Sequence, residues 1–296
     1  MRLSLITAVI AIPLGLDLHL PAPESNPLLA ENIQLGRRLF FDRRLSRDAS
    51  IACSSCHDPA RAFSDGRAIS PGVEGRQGRR HAPALINLGY GRAFLWDGRS
   101  ATLEKQVLEP IQDPNEMDFT PEEAAARVKL SVPALSRALA SYIRSILSGD
   151  SPYDRFVNGD HAALSDEQQR GLQIFRGKGN CTACHLGPNF TDEQFHNTGV
   201  AWREGRLADE GRFAISKRPH DRGAFKTPTL REIARTAPYM HDGSLATLGD
   251  VIDFYSEGGR PNPFLDSDIR PVRFSPEEKR ALVAFLESLS GRVNEE

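Results

Sequence analysis

Apolar residues recur at helical spacing in several stretches. In 32–41, Ile33, Leu35 and Leu39 line one side of a short amphipathic helix. In 133–148, Leu135, Leu139, Tyr142, Ile143 and Ile146 mark a longer one. Three more helix starts are written in their caps. Thr120-Pro121-Glu122-Glu123 sets a capping threonine before proline at the first helical position, with glutamate three residues on. Ser165-Asp166-Glu167-Gln168 opens a helix that runs to about Gly177, and Ser275-Pro276-Glu277-Glu278 opens the last, running to Gly291. Nowhere do apolar and polar residues alternate convincingly, so no sheet is expected. With 24 glycines and 20 prolines in 296 residues, long loops must join the helices. The expected fold class is mainly α.

Self-comparison of the chain finds two related halves. Gly36 and Phe40 recur as Gly171 and Phe175, each pair 135 positions apart. Pro83-Ala84-Leu85 recurs as Pro228-Thr229-Leu230, Asp97-Gly98 as Asp242-Gly243, and Thr102-Leu103 as Thr247-Leu248, all 145 positions apart. The turn-rich run Ser148-Gly149-Asp150-Ser151-Pro152 suggests a boundary within 148–165, giving domains of 23–160 and 161–296. Residues 1–22 read as an export signal. Arg2 precedes an apolar run from Leu3 to Leu16, long enough for a signal core and short for a membrane span. Leu20-Pro21-Ala22 is a poor cleavage match, so an uncleaved N-terminal anchor is the alternative. Lys and Arg number 37 against 39 Asp and Glu, a net charge of -2. That balance gives no general pull toward nucleic acid, and no nucleic-acid partner is expected.

Only four cysteines are present, and all lie in two C-x-x-C-H motifs: Cys53-Ser54-Ser55-Cys56-His57 and Cys181-Thr182-Ala183-Cys184-His185. This is the attachment signature of c-type haem. Two thiols reach two vinyl groups on one porphyrin edge, and the adjacent histidine turns under the ring to bind iron. A zinc site built from both pairs is disfavoured by their distance and by the histidine after each. A thioredoxin-like motif lacks its βαβ setting. Two covalent haem c groups are therefore expected, with His57 and His185 as proximal ligands. Covalent attachment and export together place the chain in the periplasm. The 145-residue repeat also sets Pro110 opposite Tyr255. Proline has no side-chain ligand atom, whereas a tyrosine phenolate can bind iron. On spacing alone the favoured reading of Tyr255 is a core aromatic between Phe254 and Ser256.

Several stretches carry a family resemblance: LGRRLFFDRRLS, both haem motifs, FLWDGRSATLEKQ, PNEM, KTPTLREI and APYMHDGSLATL. In this order, over about residues 31 to 291, the chain resembles the bacterial diheme cytochrome c peroxidase and MauG family. The resemblance implies two cytochrome c-like haem domains. It implies that His57 binds the peroxidatic haem, with Gln106 and Glu116 as distal glutamine and acid and Pro110 as the distal proline of the MauG type. Trp96 would stand between the haems. His185 and Tyr255 would be the axial pair of the electron-transfer haem, where classical peroxidases have methionine in place of the tyrosine. The loop Ser70-Pro71-Gly72-Val73-Glu74-Gly75 holds no histidine where classical peroxidases carry a distal one. Haem 1 is therefore expected to be open without prior reduction. The family's bridging calcium maps to His81, Thr236 and Pro238, and histidine is a poor ligand for that cation.

The function these residues imply is hydrogen peroxide activation at haem 1, with electrons delivered through haem 2. Glu116 would act as the acid/base, Gln106 would orient the peroxide and Trp96 would relay charge. The partner would be a small donor protein (a cytochrome c or cupredoxin) or a protein whose side chain is oxidised, as in MauG. The alternative is a non-catalytic diheme electron carrier. Homodimerisation stays open. His196 reads as a loop organiser or propionate contact, and Met240 and His241 as packing beside haem 2.

Overall fold

The computed structural model describes residues 10–294. Ten helices are present among them. They are α1 Ala30–Phe40, α2 Leu103–Gln106, α3 Glu109–Gln112, α4 Pro121–Arg127, α5 Val132–Ser145, α6 Pro152–Val157, α7 Asp166–Arg176, α8 Phe213–Ser216, α9 Leu248–Ser256 and α10 Pro276–Glu287. Short strands lie between and after them: β1 Leu147–Gly149, β2 Phe195–His196, β3 Trp202–Arg203, β4 Arg206–Leu207, β5 Phe225–Lys226 and β6 Arg292–Asn294.

The three caps close as the sequence predicts. Thr120 Oγ1 accepts from the Glu123 amide at 3.2 Å, Ser165 Oγ from Gln168 at 3.2 Å, and Ser275 Oγ from Glu278 at 3.2 Å. In each, the N3 side chain reaches back to the cap amide. Each such cap stabilises its helix by about 1 kcal/mol. The helix expected over 133–148 ends earlier, at Ser145. Ile146 turns extended, and the chain continues straight into β1. The last helix ends at Glu287 rather than Gly291.

No sheet was expected, yet three two-stranded antiparallel ladders form. These are β1–β6, β2–β5 and β3–β4. Two- and three-residue strands are too short to write an alternating pattern, and β1 is buried at every position. Its partner β6 lies at the far end of the chain, with Ser148 opposite Val293.

Two cores carry the fold. In the first, Phe40 packs edge-on against Phe63 and Tyr142, beside Leu135, Leu139 and Ile111. In the second, Phe175 lies beside Phe190 and Phe285, with Leu282 and Leu289. Each core rests on one close helix crossing. A Cβ on Gly36 of α1 would stand 1.9 Å from the Ala138 carbonyl oxygen of α5. One on Gly171 of α7 would stand 1.9 Å from that of Ala281 of α10. Left-handed backbone also recurs at corresponding places. Asn87 and Glu232 have φ of 58° and 60°, and Leu95 and Met240 have 68° and 73°. Phe94 bridges Ser100 as Tyr239 bridges Leu245.

The 148–165 stretch is no loose linker. Ser148, Ser151 and Asp154 are fully buried, and Asp154 pairs with Arg231, each about 1% exposed. The first nine residues of the expected leader lie outside the described residues. Its second half lies against the body as a strap. The Asp150 amide donates to Leu14 O at 2.8 Å, Arg231 Nη2 to Gly15 O at 3.0 Å, and Tyr90 Oη to Asp17 O at 2.7 Å. Asn294 Nδ2 donates to Ala11 O at 3.2 Å.

At a helical glycine, alanine propensity alone favours substitution by about 1 kcal/mol. At Gly36 the steric clash is larger. Gly36→Ala is expected to destabilise the protein by about 1–3 kcal/mol, seen as a lower melting midpoint of the holoprotein. Gly78→Ala, with nothing within 4 Å of the added Cβ, should leave that midpoint within error.

Candidate functional site

Each CxxCH motif forms one 3-10 turn, Cys53–Ser55 and Cys181–Ala183. The turn brings the histidine back over the first cysteine. The His57 amide donates to Cys53 O at 3.0 Å, and the His185 amide to Cys181 O at 2.9 Å. The rings are then fixed the same way. Nδ1 of His57 lies 3.1 Å from Phe63 O, and Nδ1 of His185 lies 2.8 Å from Phe190 O. A carbonyl can only accept, so Nδ1 carries the proton and Nε2 keeps its lone pair. Burial pushes both imidazoles below their ordinary pKa, which keeps them neutral. Burial also pushes the thiols up, Cys53 and Cys181 to about 12 and Cys56 to about 11. None of the four is in a disulfide.

A cavity of about 60 Å³ in the first half is lined by Cys53, Cys56, His57, Gln106, Pro110 and Glu116. The residues the sequence singled out around haem 1 therefore meet in one place. Gln106 sits at the end of α2 and is 7% exposed. Its Oε1 is buried and has no hydrogen-bond partner in the protein. Pro110 opens α3, and its carbonyl accepts from the Met117 amide at 3.1 Å. This bond folds the loop after α3 back, carrying Glu116 to the cavity. Burial raises the Glu116 carboxyl to about 7, and repulsion from Asp113 and Glu109 adds to it against the pull of Arg99.

A second cavity of about 670 Å³ is lined by Trp96, Gln106, Cys181, His185, His241 and Tyr255, among others. Gln106 and Leu85 border both cavities, so the two share a wall. Tyr255 projects from α9, and burial raises its phenol well above the ordinary range, with the Cys184 and Cys181 sulfurs adding to the effect. Trp96 lies at the junction of the halves. Its indole Nε1 donates to His81 O at 2.8 Å, and its carbonyl accepts from the Lys226 amide of β5 at 2.8 Å. Beside it Arg80 spans the halves, bonding Asp97 at 2.6 Å and Asp209 at 2.8 Å. His81, Thr236 and Pro238 also line the large cavity.

Sequence reasoning understated His196. Its Nδ1 lies 2.6 Å from Asp266 and its Nε2 2.8 Å from Asp192. Contact with Cys184, followed by these carboxylates, raises it to about 10. Once the sulfur is a thioether the first contribution disappears, and the two carboxylates remain. The i,i+4 spacing to Asp192 was visible in the sequence. Asp266, 70 residues away, carried no signal.

This is a helical chain with two half-buried cysteine–histidine loops, each bordering a cavity. Residues 30–134 match the family model described as di-haem cytochrome c peroxidase. The chain is 39% identical to the methylamine utilization protein MauG of Methylorubrum extorquens, covering 91% of this chain and 81% of that protein. It is 31% identical to cytochrome c551 peroxidase of Pseudomonas aeruginosa, covering 92% and 84%. A solved MauG-like protein associated with microbial copper homeostasis superposes with a TM-score of 0.86 at 34% identity, covering 96% and 94%. The chain belongs to the di-haem cytochrome c peroxidase and MauG family, and is a peroxidase-type oxidoreductase. The family implies haem c, and the residues fit it. Two cysteines free of disulfides bracket each turn, each imidazole keeps one nitrogen lone pair, and Gln106, whose Oε1 is buried with no partner among the described residues, lines both cavities. Replacing Cys53 and Cys56 together by alanine is expected to cut covalent haem from two groups per chain to one, read by intact-mass measurement.

Proposed function

We propose that the chain is a periplasmic enzyme that reduces hydrogen peroxide in its N-terminal half, with electrons arriving through its C-terminal half. The reading rests on one observation above others. Glu116, a carboxyl poised near neutrality, and Gln106, whose buried Oε1 has no partner among the described residues, line the cavity that holds Cys53, Cys56 and His57. Among the described residues no helix is long and apolar enough to cross a membrane, which suits an exported domain. We read the two halves, 23–160 and 161–296, as a repeat of cytochrome c-like domains. The paired glycine crossings and the paired left-handed turns support that reading.

His57, Cys53 and Cys56 would hold a haem, and its iron would supply the centre for peroxide O–O cleavage. The protein supplies the proton traffic and the orientation. Glu116 takes the proton from the near oxygen and returns it to the leaving oxygen. A pKa of about 7 suits both steps, because either form is accessible at neutral pH. Gln106 Oε1 accepts from the peroxide hydroxyl and aligns it. Pro110 walls the cavity with a side chain that cannot bind metal. Trp96, tied to both halves, offers an aromatic step between the two sites. In the second half His185 and Tyr255, which line one cavity, would hold the other haem iron. A phenolate ligand favours the oxidised state of iron, whereas methionine raises the potential. That preference suits oxidation of a partner protein's side chain. A small cytochrome or cupredoxin donor is the other partner class.

Glu116→Gln is expected to slow peroxide turnover by about 10²–10⁴-fold, measured by stopped-flow. In the wild type the rate should rise with pH through about 7, where the Glu116 base form appears, and in the variant this limb should vanish. Full turnover in the variant would remove the assignment. Two low-spin ferric haems inert to peroxide would instead mark a passive electron carrier. Tyr255→Met is expected to raise the potential of the second haem, measured by spectroelectrochemistry.

A further inference from the structure

The family's bridging cation maps to His81, Thr236 and Pro238, and the chemistry at His81 does not fit it. A hard cation of this kind takes six to eight oxygen ligands. His81 offers none from its side chain. Its ring is also already committed, with Nδ1 2.7 Å from Arg67 O. That carbonyl can only accept, so Nδ1 carries the proton and Nε2 keeps the ring's one lone pair, a nitrogen where such a cation takes oxygen. Thr236 and Pro238 match positions that give backbone carbonyls, so His81 stands at the one position whose side chain would bring an oxygen.

What His81 does instead is join three segments. Its ring holds the Arg67 loop. Its backbone N–H donates to His241 O of the second half at 2.8 Å. Its carbonyl accepts the Trp96 indole at 2.8 Å. The same loops touch without an intermediary. A Cβ on Gly243, whose φ is 62°, would stand 2.4 Å from Ala68 Cα, so the 241–243 turn lies directly on the Arg67–Ala68 backbone. His241, which receives the His81 amide, stacks flat on Phe225 with ring centres 3.6 Å apart. Phe225 in turn belongs to β5, whose Lys226 amide holds the Trp96 carbonyl.

We propose that His81 is a positioning residue that replaces the bridging cation, so that the junction around Trp96 is held by hydrogen bonds and is independent of calcium. This goes beyond the peroxidase reading and does not need it, because the metal content and the order of the junction are read without turnover.

The test uses the full holoprotein. Elemental analysis is expected to find no stoichiometric calcium. Addition of EDTA or of excess CaCl₂ should leave the melting midpoint and the ferric haem EPR spectrum unchanged. One tightly held calcium per chain, or an EDTA-sensitive spectrum, would overturn the proposal without any variant. His81→Ala should speed amide exchange by roughly tenfold or more in peptides over 79–84 and 94–98, as a locally opened segment does, with no rescue by CaCl₂. His81→Gln, which keeps an N–H donor for Arg67 O, should restore slow exchange. Unchanged exchange in His81→Ala, or its rescue by calcium, counts against the role.

Discussion

The hydrogen bond from a histidine Nδ1 to a loop carbonyl is the constraint on which both sites depend. A CxxCH turn alone places two sulfurs and a ring near one another but leaves the ring free to rotate. Phe63 O and Phe190 O remove that freedom. They choose the tautomer, and burial keeps the ring neutral. Both carbonyls belong to residues of the aromatic cores. Phe63 packs against Phe40, and Phe190 lies beside Phe175. The orientation of each imidazole is thus set by the packing of its own half. A defect in either core would reach the ring through a single bond.

Around this shared plan the halves differ in what lies opposite. The first half gathers Gln106, Pro110 and Glu116 in a small cavity, and the second offers Tyr255 in a large one. The same low polarity acts on Glu116 and Tyr255 alike by favouring their protonated forms. The outcome differs with chemistry. A carboxyl lifted to about 7 becomes a proton exchanger at neutral pH, while a phenol lifted further stays protonated until something binds its oxygen. The junction between the halves is polar by contrast. Arg80 sits between Asp97 and Asp209, and Arg212 donates to the Asp97 and Gly98 carbonyls. Such directional contacts fix the relative placement of the cavities more sharply than apolar packing does.

Much of this was legible because it is local. Caps at Thr120, Ser165 and Ser275 lie within four residues of what they bind, and the structure closes each one. The apolar spacing of Leu135, Leu139 and Tyr142 found the helix that covers the first core. Its end was misplaced because Ile146 and Leu147 continue the apolar run while the backbone turns extended. Burial looks the same to a hydrophobicity pattern in a helix and in a strand. The candidate residues around the first cavity came together, but Glu116 reaches it through a loop return held by a backbone bond to Pro110, and no pattern encodes that. The Asp266 side of the His196 clamp, the β1–β6 ladder and the buried Asp154–Arg231 pair were invisible for one reason: their partners lie 70 or more residues apart.

The strap over residues 10–20 bears on how the molecule is assembled. Leu14 and Gly15 bind Asp150 and Arg231, and Ala11 binds Asn294 near the other end of the chain. The strap's partners thus lie far from it along the chain, 216 residues away at Arg231 and 283 at Asn294. Each core is built mainly within one half, with Tyr153 and Phe156 reaching into the second and Val293 into the first, and the strap touches both halves. Contacts of such long sequence separation form slowly, after local structure is in place. Removal of the expected leader would therefore release contacts to Tyr90 and to Arg231, on both sides of the junction, at once.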